Sequence, residues 1–265
     1  TTAGFVPGSD TVIAGATPQD VTVPGCGAVV INAGQSTYAR VRYSTAGLAA
    51  LLPAFGRLGV DDQLGLLADT QALALAGRLP MGELLALMAG VPSSRGSPAV
   101  AQLLAAQLQD LDQLHDGLAS QPAFRAWARA LLAPFLAEVG WDSRDSDSGD
   151  VRTLRVQLIE VLGGFGDARV LADVDKAFER VLEHPDSLDA DHRDAVLSVV
   201  ATRADERAWA QLHGLALAAP SELEKADASA LLARGVRPRG YATGCSEVAS
   251  NARDEDTPPA PHPPG

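Results

Sequence analysis

The stretch DDQLGLLADTQALALAG, residues 61–77, decides the fold class of this chain. Leu64, Leu67 and Leu75 recur at the spacing of one helix face, and Asp61 stands where an acidic residue favours a helix start. The same periodicity returns on both sides of this stretch, in residues 48–55, 103–117, 124–140, 151–163, 168–182, 191–204, 208–218 and 221–233. About nine or ten helices of similar length, joined by short loops, are typical of stacked helix hairpins. We therefore predict a mostly α fold, an α-solenoid similar to HEAT repeats, although the sequence has no clean fixed-period repeat.

Local signals mark the ends of these helices. Residues that favour helix starts stand at Ser97-Pro98, Asp167, Asp191 and Ser221, the last with Glu224 three positions later as a capping box. Glycines that favour helix stops or breaks stand at Gly77, Gly117, Gly140 and Gly214. Trp127 shares a periodic stripe with Phe124 and Leu131, which predicts that it belongs to the core.

The two ends of the chain have a different character. Short β-branched runs at residues 11–13, 20–23 and 28–31, and alternation at 38–43, predict four strands. Four short strands cannot bury both faces of a sheet, so we expect them to need a partner sheet from outside this chain. Residues 235–265 are rich in proline and lose all periodicity, which predicts disorder. The predicted domains are residues 1–43, 44–234 and 235–265.

Composition limits the classes of function. The 265 residues are 46% hydrophobic, which provides for a sizeable core, and they carry a net charge of −12. An acidic chain repels phosphate backbones, so we expect no nucleic-acid partner. No apolar run approaches the roughly 20 residues that cross a bilayer, and no signal peptide is visible. We expect a soluble chain, in the cytoplasm rather than secreted. Cys26 and Cys245 are expected to be two independent thiols.

No catalytic constellation is present. None of the five histidines, His115, His184, His192, His213 and His262, belongs to an HExxH zinc helix. A zinc site built from His184, His192 and an aspartate is a minor alternative to structural histidines. The stretch from 163 to 166, Gly-Gly-Phe-Gly, lacks the lysine of a phosphate loop and predicts a helix-terminating turn. We assign no catalytic, cofactor-binding or metal-binding residue, and the substrate-binding residues are unknown.

An acidic loop at residues 141–150 needs separate mention, because Asp142, Asp145 and Asp147 are spaced closely enough to suggest a calcium site. No glutamate follows at the closing position of an EF-hand loop. A solvated linker is the prediction here.

Two segments resemble a known family. Residues 31–43, INAGQSTYARVRY, are similar to the Asn-x-Gly-Gln-x-x-Tyr-Tyr-Arg-Val-x-Tyr strand of the puromycin-sensitive and alanyl zinc aminopeptidases, with Ala39 in place of the second tyrosine. Residues 61–77 are similar to the family's Asp-Arg-x-x-Leu-x-x-Asp-x-x-Ala-Leu-Ala-x-Ala-Gly helix, where Asp62 aligns with the aspartate and Gln63 replaces the arginine. Weaker matches extend the resemblance over residues 21–225.

This resemblance implies that the chain is the C-terminal, non-catalytic portion of a zinc aminopeptidase. In that family the strand ends a small β-sandwich and leads into a helical domain that closes over the active site and helps to enclose the peptide. The zinc, its ligands and the amino-terminus recognition loop belong to an upstream catalytic domain. The implied partners are that domain and, in the intact enzyme, peptide substrates. The chain as it stands is expected to be no enzyme. The alternative is a free-standing helical-repeat module that binds a partner protein.

Overall fold

The computed structural model describes residues 17, 20, 27–93 and 96–218. This part of the chain is mostly helical, as predicted, and contains no β-strand. Short 3-10 turns cover Ala33–Gln35, Leu52–Arg57 and Pro185–Ser187. Within the described residues there are nine α-helices: α1 (Thr45–Leu51), α2 (Val60–Leu75), α3 (Met81–Ala89), α4 (Pro98–Leu114), α5 (Gln121–Val139), α6 (Gly149–Gly164), α7 (Ala168–Glu183), α8 (Ala190–Thr202) and α9 (Glu206–Ala218).

The structure does not show the strands predicted at residues 28–31 and 38–43. A strand requires a hydrogen-bonded neighbour, and the polar groups here bond to side chains instead. The Ile31 N–H donates to the Tyr43 hydroxyl oxygen, and the Val41 N–H donates to the Asp69 carboxylate. The strand predicted at 11–13, residues 21–23 of the strand predicted at 20–23, and the predicted disorder of 235–265 lie outside the described residues.

Most of the glycines predicted to end a helix do so in the structure. Gly77, Gly117 and Gly140 each adopt a positive φ just beyond a helix, as a C-terminal stop requires. Gly214 is the exception, because it lies inside α9, which continues to Ala218. Helix α3 has no counterpart among the predicted helices. It is short, follows Pro80 and has no side-chain cap. The helix predicted at residues 221–233 lies outside the described residues.

The chain divides into two compact units, Thr1–Leu171 and Ala172–Gly265. In the first unit, α2 packs against α3 and α4, α4 packs against α5 and α6, and α5 packs against α6. Glutamine side chains link the alternate helices. Gln107 Nε2 donates to the Leu67 carbonyl at 3.1 Å, and Gln71 Nε2 donates to Asp110 at 3.4 Å. Because both pairs advance in the same direction along α2 and α4, these helices run parallel.

Helices α4 and α6 are linked in the same way. Gln102 Nε2 donates to the Asp150 carbonyl at 2.9 Å, and Gln157 Nε2 donates to the Gln102 carbonyl at 3.1 Å. These bonds join the first half of α4 to the first turn and the middle of α6, in agreement with a parallel pair. Helices α2, α4 and α6 therefore form one layer of the first unit.

The core of this layer is built mainly of leucine. Fully buried side chains include Leu67, Leu104, Leu108, Leu132 and Leu158. The prediction for Trp127 needs correction, because this residue is only half-buried. The buried stripe of α5 consists of Phe124, Ala128, Leu132 and Phe135, and Trp127 lies at its margin.

The second unit contains most of α7 together with α8 and α9. Helix α8 packs against α9, and the buried residues of this unit include Val196, Val199, Trp209 and Leu212. The N-cap of α8 is Asp189, whose carboxylate accepts from the His192 N–H at 3.0 Å. The predicted start at Asp191 is two residues late.

Candidate functional site

The most distinctive site in the described residues is the contact between residues 28–43, here called the docked segment, and helix α2. The segment begins with a tight turn held by one side chain. Asn32 Oδ1 accepts from the Thr37 N–H at 2.9 Å and from the Thr37 hydroxyl at 2.8 Å, and Asn32 Nδ2 donates to the Thr37 carbonyl at 2.9 Å. Asn32, Gly34 and Gln35 all adopt positive φ, at 55°, 69° and 52°. This uncommon backbone is held in place by the asparagine bonds.

Two carboxylates of α2 fix the docked segment to the helix. The Gly34 N–H donates to Asp62 Oδ1 at 2.7 Å, and the Val41 N–H donates to Asp69 Oδ2 at 2.8 Å. Arg40 Nη1 adds an ion pair with Asp69 Oδ1 at 3.0 Å. The two aspartates are seven residues apart, about two helical turns, so they lie on the same face of α2. The middle of the segment and the part near its C-terminal end are therefore tied to one helix.

A glycine allows the segment to approach α2 closely. Gly65 is buried and lies between the two aspartates in sequence. A Cβ atom at this position would overlap the side-chain amide of Gln35, with Oε1 only 2.7 Å away. A glycine in the middle of a helix costs about 0.5–1 kcal/mol relative to alanine. Here the glycine makes room for the docked segment.

Tyr43 closes the other side of the contact. Its hydroxyl oxygen accepts from the Ile31 N–H at 2.9 Å, which joins the two ends of the docked segment. Burial raises the pKa of the Tyr43 phenol above its usual range, and the bond from Ile31 partly opposes that shift. The cavity between the segment and α2 has a volume of about 10 Å³, space for one water molecule at most. This site is a packed contact between two parts of the chain and has no room for a small-molecule ligand.

The acidic loop before α6 has a structural role. Asp147 accepts from Arg155 Nη2 at 2.5 Å and from the Arg144 N–H at 2.9 Å. These two donors, the backbone N–H first, lower the pKa of Asp147. Arg155, whose side chain is 2% exposed, also donates to the carbonyls of Val139 and Gly140 at the end of α5. The loop thus fixes the end of α5, while Asp142 and Asp145 remain exposed.

The histidines lie in structural surroundings. His115 stacks on Phe124 with ring centroids 4.7 Å apart, and His213 stacks on Trp209 at 5.1 Å. His192 is buried in the first turn of α8, and His184 precedes the turn Pro185–Ser187. Among the described residues, no group of three or more His, Cys, Asp or Glu side chains is placed to hold a metal ion. His262, Cys26 and Cys245 lie outside the described residues.

The glycine-rich stretch after α6 forms the predicted helix-terminating turn. Helix α6 ends at Gly164, and Gly166 adopts a φ of 79°. The Phe165 carbonyl accepts from Arg129 Nη1 at 2.6 Å, so an arginine of α5 caps this end.

The docked segment and α2 contain the two sequence segments that resemble the aminopeptidase family, and the structure brings them into contact. A family model described as "ERAP1-like C-terminal domain" matches residues 28–239, which is most of the chain. The chain belongs to this family. The ERAP1-like domain is the non-catalytic C-terminal domain of an aminopeptidase family, in agreement with the resemblance. A search among curated proteins gave no match.

The roles of Asp69 and Gly65 in the contact of this ERAP1-like domain were not predicted from the sequence. Asp69 was a detectable signal, because an acidic residue directly follows the apolar run 64–68 of the predicted helix. Gly65 was a second signal, since a glycine in a helix interior often marks a close approach. Within the described ranges, no helix has the length and apolar character needed to cross a membrane. The cellular compartment stays a prediction.

Proposed function

We propose that this chain is the helical C-terminal portion of a zinc aminopeptidase, acting as a lid and wall that encloses peptide substrates over an upstream catalytic domain. The observation that carries the proposal is the docked segment. Its backbone is held against α2 by Asp62 and Asp69, so that any domain continuous with this segment would be held at a defined position beside the helices.

The proposed architecture is an α-solenoid preceded by the end of a β-sandwich. The parallel layer of α2, α4 and α6, with α3 and α5 following the first two in sequence, supports stacked helix hairpins. The docked segment would become a strand of the sandwich when an upstream sheet supplies its neighbour. Its exposed Val29 and Ile31 side chains support this, since they would be covered by such a sheet.

In this proposal the zinc ion belongs to the upstream domain, where it would activate the water that attacks the first peptide bond. The residues described here offer no group of metal ligands for that role. The contribution of this chain is to bound the volume in which a peptide is held and to exclude water from it.

The first experiment is to sequence the DNA upstream of the Thr1 codon in the same reading frame. An HExxH helix with a downstream glutamate is the expected finding. The complete protein should then release N-terminal amino acids from peptides, and a chelator should abolish that activity. The 265-residue chain alone should neither cleave peptides nor bind one equivalent of zinc in metal analysis.

Two results would contradict the proposal. Chelator-sensitive turnover by the isolated chain would make it an enzyme in its own right. A stop codon and a separate start before Thr1 would favour the alternative, a free-standing module, and a pull-down should then recover a discrete protein partner.

A further inference from the structure

The turn between α4 and α5 contains a chemically distinctive pair of residues. Asp116-Gly117 is the single Asp-Gly pair of the sequence, which contains no Asn-Gly pair. Both residues are exposed, and a Cβ atom added to Gly117 would meet no atom within 4 Å. Gly117 adopts a φ of 72°, which glycine tolerates without strain. The backbone nitrogen of Gly117 is therefore shielded neither by its own side chain nor by a neighbour.

The Asp116 carboxylate and the Gly117 backbone nitrogen are both unbound. The turn is held on either side of them, because the Asp116 N–H donates to the Gln113 carbonyl at 3.2 Å and the Leu118 N–H donates to the His115 carbonyl at 2.9 Å. The Gly117 N–H between them has no hydrogen bond with any residue that the structure describes. Within the same described residues, the Asp116 carboxylate has neither a hydrogen bond nor an ion pair. Both groups are thus free to approach each other.

The arginine that could hold Asp116 is occupied elsewhere. Arg125 lies within electrostatic reach of Asp116, but its guanidinium donates twice to the Asp112 carboxylate, each time at 2.7 Å. A carboxylate bound in this way cannot turn toward its own backbone. The same holds for Asp147, which accepts from Arg155 Nη2 at 2.5 Å. Asp116 keeps the rotational freedom that these two aspartates lose.

We infer that Asp116 is a site of spontaneous modification, where the residue isomerises to isoaspartate through a succinimide formed with Gly117. The Gly117 nitrogen forms a bond to Cγ of the protonated Asp116 side chain, and the N–H proton and the carboxyl hydroxyl group leave together as water. A second water molecule then opens the ring at one of its two carbonyl carbons. Opening at Cγ restores aspartate, whereas opening at the main-chain carbonyl carbon leaves the chain running through Cγ. Water is the only co-reactant, and nothing is oxidised or reduced.

The product lengthens the main chain by one methylene group in the turn that joins α4 to α5. Two contacts span this turn. His115 stacks on Phe124 with ring centroids 4.7 Å apart, and Gln121 Nε2 donates to the Asp112 carbonyl at 3.3 Å. Both contacts should weaken in the isomer, although its net charge is unchanged. Isomerisation should therefore loosen the junction of the two helices.

The test is to incubate the 265-residue chain at mildly acidic pH and to locate isoaspartate by peptide mapping after labelling with an isoaspartyl methyltransferase. The rate at each position is measured in the folded chain and again in guanidinium chloride. An exposed, unbonded turn opens at little cost, so the folded rate at Asp116 should lie within about tenfold of its denatured rate. Asp147-Ser148 is the internal control. Its folded rate should be at least about 100-fold below its denatured rate, because its carboxylate stays bonded.

Two variants complete the experiment. Asp116→Glu keeps the charge but would require a larger ring, so label at position 116 should disappear. Asp116→Asn forms the same succinimide with loss of ammonia in place of water, and it should produce isoaspartate faster than the wild type.

Three results would overturn the inference. The first is a folded rate at Asp116 more than about tenfold below the denatured rate, because the turn would then protect the residue. The second is equal protection of Asp116 and Asp147, which would mean that the bonds of the fold do not select the site. The third is unchanged labelling in Asp116→Glu, since the isoaspartate would then come from another residue. Unchanged hydrogen exchange at the Gln121 N–H of the purified isomer would overturn the loosened junction.

Discussion

One of the two carboxylates that attach the docked segment to α2, that of Asp69, is buried. Asp69 is 8% exposed and accepts from the Val41 N–H and from Arg40, whose own side chain is 61% exposed. A hydrogen bond to a charged group contributes about 1.5–3 kcal/mol, whereas a solvent-exposed ion pair contributes about 0.2–1 kcal/mol. The bond to Val41 should therefore dominate, and Asp69→Ala should weaken docking by about 2–3 kcal/mol. Arg40→Ala should weaken it by less than about 1 kcal/mol.

The amide of Gly34 gives a readout that the substitution does not touch. It is bonded to Asp62, 28 residues away, and becomes exposed when the whole segment detaches. By nuclear magnetic resonance, its hydrogen exchange should accelerate about 30- to 150-fold in Asp69→Ala, which is the same free energy expressed as a rate. Asp69→Asn keeps an acceptor for the Val41 N–H. Its Gly34 exchange rate should therefore lie between the rates of Asp69→Ala and Arg40→Ala. Unchanged exchange at Gly34 in Asp69→Ala would refute docking as a unit. Equal acceleration in Arg40→Ala would refute the dominance of the backbone bond.

Three further predictions concern packing and pH. Gly65→Ala should stabilise the chain by about 1 kcal/mol in a Gln35→Ala background, through helix propensity. The gain should be smaller when Gln35 is present, because its side-chain amide must move to make room for the added Cβ. Equal effects in urea unfolding would contradict the close approach. Because the pKa of Asp147 is lowered in the folded chain, its ion pair stabilises above the ordinary range of an aspartate and is lost as pH falls through the lowered value. The wild type should thus lose more stability on acidification than Asp147→Asn. Parallel curves of unfolding free energy against pH for the two proteins would contradict a stabilising role of the Asp147 ion pair. Phe124→Ala should lower the free energy of unfolding by about 3–5 kcal/mol and Trp127→Ala by about 1–2 kcal/mol. Equal losses would show that Trp127 is a core residue.

The helices could be predicted because their signal is local. Leu104, Leu108 and Leu111 repeat at helical spacing, and all three are buried in α4. In α5 the large side chain of Trp127 led to a wrong prediction of the buried face. A hydrophobic pattern gives weight to Trp127, whereas small Ala128 occupies the inward position and is fully buried. Periodicity identifies a face to within about one residue, and the packing against neighbouring helices determines the rest.

The contact of the docked segment could not be predicted from local patterns. Gly34 and Asp62 are 28 residues apart, as are Val41 and Asp69, and no spacing rule connects them. The structure does not show strands at 28–31 and 38–43 for the same reason, since residues 28–31 have strand-like composition but a ladder depends on a distant partner. The family resemblance identified both segments correctly, and the structure adds that they bind each other.

The parallel layer of α2, α4 and α6 has an electrical consequence. Each helix carries a macrodipole equivalent to about half a positive charge at its N-terminus and half a negative charge at its C-terminus. Because the three helices point the same way, these partial charges add at the two edges of the layer. Asp61 and Asp62 of α2 and Asp150 of α6 neutralise the positive edge, whereas no basic residue stands in the last turn of any of the three. Arg129 of α5 caps the end of α6. The negative partial charge of the C-terminal edge therefore remains at the ends of α2 and α4, where it would attract cationic groups most strongly at low salt.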